Sequence, residues 1–129
     1  MVKIAIIEDE AAIAEMYKIK LQQAGYEVGV AENGRLGLEL CEKLKPDLVL
    51  LDIMMPEMSG PEMLAKMKAT EWGKKPLVML LTNLSQHESE IDPQKFPVEG
   101  YAVKAYYTPG QLLDKINELL IEHGKLPKQ

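Results

Sequence analysis

The sequence predicts an α/β domain with a parallel β-sheet and helices on both of its faces. Short, almost continuous apolar runs of strand length alternate with segments in which apolar residues recur every three to four positions. The runs are typical of strands that are buried on both faces, and the periodic segments are typical of helices that pack on a sheet. With 129 residues, the chain is long enough for one domain with a substantial core but short for two.

The first strand and the first helix are predicted within residues 2–25. Residues 2–7 are apolar apart from Lys3, which suits a buried strand. A helix follows, because the next apolar residues recur at steps of three and four, and Gly25 is a natural stop at its C-terminal end. The inward stripe of this helix is predicted to be Ile13, Met16, Tyr17, Leu21 and Ala24.

Two further strand–helix pairs follow in the same way. Residues 26–31 alternate in hydrophobicity like a strand, and Asn33 can cap the next helix, which Pro46 ends. Residues 48–51 form another buried strand, and the segment from Ser59 to Pro61 starts a helix with proline in its first turn. The inward residues are predicted to be Leu36, Leu40, Cys41 and Leu44 in the second helix and Met63, Leu64 and Met67 in the third.

The last two strands are predicted at residues 77–81 and 101–103. Thr108 and Pro109 then start a final helix, since proline is favoured in a first turn. Its apolar residues fall on one stripe, as expected for a helix that covers a sheet. They are Leu112, Leu113, Ile116, Leu119 and Leu120.

Residues 85–99 break the alternation. They should contain the fourth helix, but they hold few apolar residues, and Pro93 and Pro97 would remove backbone donors and clash with the preceding turns. Ser85 and Glu88 have the spacing of a capping box, which allows one or two turns to form. We therefore expect a fourth helix that is short or missing, followed by an irregular loop.

Polar residues stand directly after four of the predicted strands. They are Glu8 and Asp9, then Asp52, Thr82 and Lys104. In parallel α/β sheets, ligands bind beyond the carboxyl ends of the strands. Converging carboxylates repel one another, and Mg²⁺ would relieve that repulsion because it prefers oxygen ligands. A lysine and a hydroxyl can donate hydrogen bonds to a phosphoryl group, and a carboxylate can itself be the nucleophile that accepts one.

Each of these residues has a simpler structural explanation when it is taken alone. Acidic residues at strand ends are often solvated, and Asp9 or Glu10 could favour the start of the first helix through its dipole. An aspartate or threonine in the position of Asp52 or Thr82 is commonly a cap, and Lys104 could be an exposed surface residue. It is the joint placement of these residues that favours phosphoryl chemistry.

This arrangement resembles the receiver domain of two-component response regulators. The segment from Asp52 to Gly60 matches the family pattern Asp-x-x-Met-Pro-x-Met-x-Gly at every fixed position, and the spacings of 30 residues from Asp52 to Thr82 and 22 from Thr82 to Lys104 also fit. The resemblance implies a flavodoxin-like, doubly wound sheet of five parallel strands in the order 2-1-3-4-5. It leads us to expect a receiver domain at residues 1–123 and a short C-terminal tail at residues 124–129.

The resemblance also implies a metal site. Asp52 matches the phosphoacceptor, and Asp9 and Asp52 match the direct ligands of Mg²⁺, for which Mn²⁺ is an alternative. The backbone carbonyl of Met54 is the third expected ligand. Glu8 is expected to reach the metal through water, since the family often has the shorter aspartate there.

The remaining matches concern the phosphoryl group and the switch. Lys104 resembles the cation that pairs with phosphoryl oxygens, Thr82 resembles the switch hydroxyl that moves toward them, and Tyr101 occupies the position of the switch aromatic residue. The implied mechanism is in-line attack by the Asp52 carboxylate on a phosphohistidine, with Mg²⁺ and Lys104 stabilising the transferred charge. On this interpretation the chain is not an enzyme for an external substrate and catalyses only its own phosphorylation and dephosphorylation.

The sequence departs from the family pattern near the site. Ala105 follows Lys104 where the family usually has a proline with a cis peptide bond, and a cis bond to alanine costs about 3 kcal/mol or more, so we expect a trans bond and an altered placement of Lys104. Asn83 replaces the usual small residue and is expected to line the site, where it would either crowd or donate to a phosphoryl group. Met54 and Leu84 are apolar where the family borders the attacking water, which suggests slow hydrolysis of the phosphoaspartate.

Composition and charge limit the classes of partner that this chain is expected to bind. Fifteen basic and twenty acidic residues give a net charge of -5, and a nucleic-acid binder would need a positive surface. The sequence shows neither a secretory signal nor an apolar run of the about 18 residues that a membrane helix needs, and its one cysteine, Cys41, cannot form an internal disulfide. We expect a cytoplasmic protein without direct contact to nucleic acid or membrane. The resemblance implies a sensor histidine kinase or phosphotransfer protein as donor and an unidentified downstream protein as target.

Other interpretations stay open. The chain could be a pseudo-receiver, a protein-binding module that is not phosphorylated, which Ala105, Asn83 and the weak fourth helix would suit. A small-molecule phosphatase would need an acidic residue at the position of Met54, and a flavin-binding protein would need a hydroxyl-rich loop after the first strand. The leading interpretation is a phosphorylation-activated switch, either a stand-alone regulator or part of a longer chain.

Overall fold

The protein has one five-stranded parallel sheet, in the order β2-β1-β3-β4-β5. A computed structural model describes residues 1–83 and 98–127. The observed strand order confirms the predicted one. The strands are β1 (Lys3–Ile7), β2 (Glu27–Ala31), β3 (Leu48–Asp52), β4 (Leu77–Thr82) and β5 (Gly100–Val103).

Helices cover both faces of the sheet. In the described residues they are α1 (Ala11–Gln23), α2 (Gly34–Leu44), α3 (Gly60–Lys68) and α4 (Pro109–Glu122). Helices α1 and α4 contact each other, and so do α2 and α3. The helix labelled α4 follows β5 and is the predicted final helix. Across the described ranges, no helix is both long and apolar enough to span a membrane.

Two apolar cores result from the alternation of side chains along the strands. In β1, Ile4 and Ile6 belong to the core under α1 and α4, whereas Ala5 and Ile7 belong to the core under α2 and α3. All four are fully buried. Because both faces of each central strand are covered, the strands must be apolar throughout, and this is why the sequence shows continuous runs rather than an alternating pattern.

Three helix starts and one helix end fall at residues that the sequence indicates. Asn33 accepts a hydrogen bond from the backbone N–H of Leu36 at 2.8 Å, and Ser59 caps α3. Thr108 forms a capping box with Gln111 at the start of α4. Gly25 has φ +96°, the left-handed conformation that favours glycine just after a helix.

The predicted inward stripe of α1 is partly wrong. Met16 is 43 % exposed and Ala24 is also exposed, whereas Ala14, Tyr17 and Leu21 are buried. The residues at 14, 17 and 21 lie on one side of the helix, and the small side chain of Ala14 lets that side approach the sheet. Met16 lies on the side that turns away from it.

The predicted short fourth helix and loop at residues 85–99 lie outside the described residues, apart from Val98 and Glu99. These two residues lead into β5, and Glu99 pairs with Val78 in β4. Its backbone N–H donates to the Val78 carbonyl at 3.0 Å, and its carboxylate accepts from the Val78 N–H at 2.8 Å.

Gly60 allows the chain after β3 to fold back tightly against that strand. A Cβ atom at this position would lie 2.3 Å from the Asp52 carbonyl oxygen. The Gly60 N–H also donates to the carbonyl of Ile53 at 3.0 Å. The absence of a side chain at Gly60 therefore determines how closely α3 starts to the end of β3.

We predict that Gly60→Ala destabilises the protein by about 1–3 kcal/mol, because backbone atoms must move to admit the methyl group. Gly110→Ala is the matched control, since its Cβ would meet no atom closer than 3.8 Å in the first turn of α4. The control should be neutral or more stable by up to about 1 kcal/mol. Urea unfolding of both variants measures the difference, and equal stability of the two would contradict the tight packing at Gly60.

Candidate functional site

The candidate site lies at the carboxyl end of the sheet. All strands are parallel, so the residues that follow them meet at the same edge. The structure brings together the five residues that the sequence placed after strands: Glu8, Asp9, Asp52, Thr82 and Lys104. All of them except Asp9 are buried.

Strand register determines which of these residues are neighbours. Asp52 is the last residue of β3 and is paired with Leu81 of β4. Thr82 ends β4 and is paired with Val103, so it lies beside the point where Lys104 leaves β5. The site is therefore built by consecutive strands of one rigid sheet, and its geometry follows from their pairing.

The carboxylates of Glu8, Asp9 and Asp52 converge. One oxygen of each lies within 4.8 Å of the others. Glu8 is 1 % exposed and Asp52 is 2 % exposed, while Asp9 is open to solvent. This donor set contains only carboxylate oxygens and keeps one open side, which fits a hard divalent cation that retains water ligands.

Lys104 lies between two of these carboxylates. Its Nζ is 2.5 Å from Glu8 Oε2 and 3.4 Å from Asp52 Oδ2. The other oxygen of Glu8 accepts a hydrogen bond from the backbone N–H of Glu10 at 3.3 Å, just before α1 begins. Glu8 is thus held at both oxygens and positions the ammonium group beside Asp52.

Burial and charge shift the pKa values of this pair. Burial raises the pKa of Asp52 from 3.8 to about 7, with Lys104 lowering it and Glu8 and Asp9 raising it. For Lys104, burial acts to lower the pKa, but the hydrogen bond to Glu8 and the charge of Asp52 leave it above its ordinary value. Without a bound divalent cation, burial therefore disfavours a negative charge on Asp52.

Tyr17 belongs to the surroundings of the site, which the sequence analysis did not recognise. The pKa of Tyr17 is raised by burial and by the charges of Glu8 and Asp52, while Lys104 lowers it. The sequence offers only an indirect signal: Tyr17 lies about two helical turns into the helix that follows Glu8 and Asp9. Tyr17 also packs in the core under α1 and α4, as its predicted inward position indicates.

The residues expected at the margin of the site lie in different environments. Tyr101 is half-buried in β5, opposite Leu80, and packs against the core under α2 and α3. Met54 is 65 % exposed in the turn after β3, and Asn83 is exposed just after Thr82. Leu84 lies outside the described residues.

The peptide bond between Lys104 and Ala105 is trans, as the sequence analysis expected. A 3₁₀ turn at Lys104–Tyr106 follows β5 directly. Lys104 nevertheless reaches Asp52 and Glu8. The missing proline therefore does not separate the ammonium group from the carboxylates.

The explanation of Asp52 as a helix cap is not supported, and the explanation of Asp9 and Glu10 through the dipole of α1 stays a prediction. Glu10 occupies the N-cap position, but its side chain makes no capping hydrogen bond. Asp52 is the final residue of a strand and caps no helix in the described ranges, where the next helix is capped by Ser59.

Comparison with known proteins identifies the family. A family model described as "Response regulator receiver domain" matches residues 4–117. The chain is 30% identical to the chemotaxis protein CheY of Thermotoga maritima over 118 residues, 91% of this chain and 96% of that protein. It is 34% identical to the response regulator protein TrrA from the same organism, whose crystal structure in complex with Mg²⁺–BeF has a TM-score of 0.78 and covers 93% of this chain and 100% of that chain.

This chain matches only part of a longer relative. The DNA-binding dual master transcriptional regulator RpaA of Synechocystis sp. is 30% identical over 128 residues, which are 99% of this chain and 53% of that protein. The chain thus spans about half the length of this curated relative.

The raised pKa of Asp52 predicts a pH-dependent stability when no divalent cation is present. Between 3.8 and about 7, the folded protein retains a proton on Asp52 that the unfolded chain has released. A rise in pH across this window therefore favours unfolding, and the free energy of unfolding should fall and then level off above the window.

Asp52→Asn should flatten this pH dependence, because the variant has no charge to bury. Asp114→Asn, on an exposed position of α4, should retain it. Urea unfolding in EDTA from about pH 4.5 to about pH 8 measures both. A wild-type stability that rises across this range, or the same slope in Asp52→Asn, would be inconsistent with the buried carboxyl.

Proposed function

Because this chain belongs to the response regulator receiver family, we propose that it is a phosphorylation-activated switch of a two-component phosphorelay, with Asp52 as phosphoacceptor. Receiver domains are signalling switches. The observation that carries the proposal is the buried Asp52 carboxylate, which has two further carboxylates within 4.8 Å and the Lys104 ammonium 3.4 Å away. No other arrangement in the described residues combines a nucleophile, a cation and a carboxylate cluster in this way.

Mg²⁺ fits the donor set of the site, and Mn²⁺ is the alternative. Asp9, Asp52 and the backbone carbonyl of Met54 would hold the ion, with Glu8 acting through water. The bound ion would neutralise negative charge on the carboxylates and on the incoming phosphoryl group. The relative TrrA has been crystallised with Mg²⁺–BeF, which supports the assignment by analogy.

The residues of the chain then have separate roles in phosphoryl transfer. An oxygen of the Asp52 carboxylate attacks the phosphorus of a phosphohistidine, the new P–O bond forms, and the P–N bond breaks with release of the imidazole. Lys104 donates hydrogen bonds to the phosphoryl oxygens, for which its position beside Asp52 is already suitable. A sensor histidine kinase or a phosphotransfer protein supplies the phosphohistidine.

The output of the switch would run through β4 and β5. Thr82 stands at the end of β4, and its hydroxyl can turn toward a phosphoryl group on Asp52. Tyr101 is paired with Leu80, two residues before Thr82, and is only half-buried. A movement of Thr82 would therefore change the packing available to Tyr101, and the altered face would bind a downstream protein.

Phosphorylation is the direct test of this function. Incubation with Mg²⁺ and a small phosphodonor should add one phosphoryl group to the intact protein, and omission of Mg²⁺ or Asp52→Asn should abolish the gain. The control is Asp47→Asn, since Asp47 precedes the other end of β3 and its carboxylate accepts a hydrogen bond from the Lys3 N–H at 2.9 Å. This control should be phosphorylated like the wild type. Intact-mass spectrometry provides the readout.

A negative result would need one further measurement, because rapid hydrolysis could hide the product. Beryllofluoride binding, followed by NMR, reports an intact phosphoryl site without turnover. If the protein neither gains a phosphoryl group nor binds beryllofluoride, the phosphoacceptor role is wrong, and the pseudo-receiver interpretation takes its place.

A second prediction concerns the switch. Beryllofluoride with Mg²⁺ should shift the NMR signals of Tyr101 in the wild type and in Thr82→Ser, which keeps the hydroxyl. Thr82→Val should still bind beryllofluoride but lose most of the Tyr101 shift, because valine fills a similar volume and cannot donate a hydrogen bond. An undiminished Tyr101 shift in Thr82→Val would exclude the hydroxyl as the link.

A further inference from the structure

A groove lies beside Val30 and Ala31, the last two residues of the edge strand β2, and has no role in the proposed phosphoryl transfer. Its volume is about 560 Å³, and it is bounded by the first half of α1 on one side and by α2 on the other. It reaches the phosphorylation site at one end only, where Glu8 and Asp9 line it. We call it the β2-edge groove.

The floor of the β2-edge groove is apolar. Val30 is 39 % exposed there, so part of its apolar side chain is open to a partner. The floor of the groove also includes two half-buried leucines of α2, Leu36 and Leu40, and two small residues of α1, Ala11 and Ala14. The floor could therefore accept one or two apolar side chains of a partner.

The rim of the β2-edge groove is acidic. Glu15 on α1, Glu32 after β2 and Glu39 on α2 are exposed carboxylates along it, and Asp9 adds another at the end near the site. Among the described residues, Lys43 is the one basic residue that lines it, and Arg35 lies 3.9 Å from the Glu39 carboxylate. The groove is thus complementary in charge to lysine or arginine side chains.

The edge of β2 also offers hydrogen bonds. Within the part of the chain that the structure describes, β2 is the terminal strand of the sheet and pairs with β1 alone. Glu27 donates its N–H to the Val2 carbonyl, and the Ala31 carbonyl accepts from Glu8, so the residues at 27, 29 and 31 bond to β1. The alternation of a parallel strand then directs the backbone groups of Val28 and Val30 outward at the edge of the sheet, and Val30 also lines the groove.

We propose that the β2-edge groove binds an extended basic segment of another protein, which adds to the sheet as a strand beside β2. Its backbone would pair with Val28 and Val30, its apolar side chains would lie on Val30 and Leu40, and its lysine or arginine side chains would reach the acidic rim. A second copy of this chain does not fit, because two such edges would bring two acidic rims together on chains of net charge -5.

The test uses a defined probe, the seven-residue peptide Lys-Lys-Val-Val-Lys-Lys-Val, which presents lysine and valine on both faces of an added strand, beside the same peptide with glutamate in place of lysine. Titration of the ¹⁵N-labelled protein should shift the amide signals of Val28 and Val30 with the lysine peptide and not with the glutamate peptide. The double variant Glu15→Lys, Glu39→Lys should weaken binding at least about tenfold. Glu118→Lys, on the exposed side of α4, should not.

Val30→Pro separates strand addition from simple attraction of opposite charges. Proline removes the outward N–H of Val30 without a change in charge, and the edge position tolerates it. We expect circular dichroism to show that this variant keeps its fold, and we expect it to lose binding of the lysine peptide. Shifts that map to another surface, unchanged affinity in Val30→Pro, or no shift at millimolar peptide would each overturn the proposal. Phosphorylation of Asp52 is scored separately, so failure here leaves the proposed function unaffected.

Discussion

The excess of negative charge at the carboxyl end of the sheet is the constraint on which the rest of the site depends. When all three are ionised, the carboxylates of Glu8, Asp9 and Asp52 face one ammonium group, that of Lys104. One bound divalent cation would balance the two negative charges that remain. In its absence, burial raises the pKa of Asp52, which favours the protonated form of this carboxyl. Protonation of Asp52 and binding of a divalent cation would therefore be alternative ways to reduce this excess of negative charge, whereas a phosphoryl group would add to it and so increase the need for the cation.

The apolar sheet stabilises the fold enough to hold these charged side chains close together. Residues 48–51 of β3 are fully buried, so the position of Asp52 at the end of that strand is determined by packing on both faces and not by the interactions of its own carboxylate. The tight return of the chain at Gly60 closes the same strand end from the other side. Rigid support of this kind lets the site retain destabilising charges, since the two cores offset their cost.

Much of this could be predicted from the sequence, because the deciding signals are local. Apolar runs and one alternating segment indicated the strands, and Asn33, Ser59 and Thr108 indicated three helix starts. The residues after four of the strands predicted which polar side chains meet at the edge of the sheet. What failed depended on tertiary geometry. Met16 was placed inward because spacing alone cannot tell which of two adjacent helix sectors meets the sheet. The direct contact between Glu8 and Lys104 joins residues 96 positions apart, and only the register of the folded sheet brings them together.

The site and the β2-edge groove share residues, and this has a thermodynamic consequence. Glu8 and Asp9 line both of them, and Asp9 is the exposed carboxylate of the cluster. A cationic side chain that reached Asp9 from the groove would compete with a metal ion for the same oxygens. By linkage, the ion would then weaken the docked segment by the same factor by which the segment weakens the ion. A partner at β2 would thus be able to sense the charge state of Asp52 without any movement of Thr82 or Tyr101, because electrostatic coupling acts through the shared carboxylates alone.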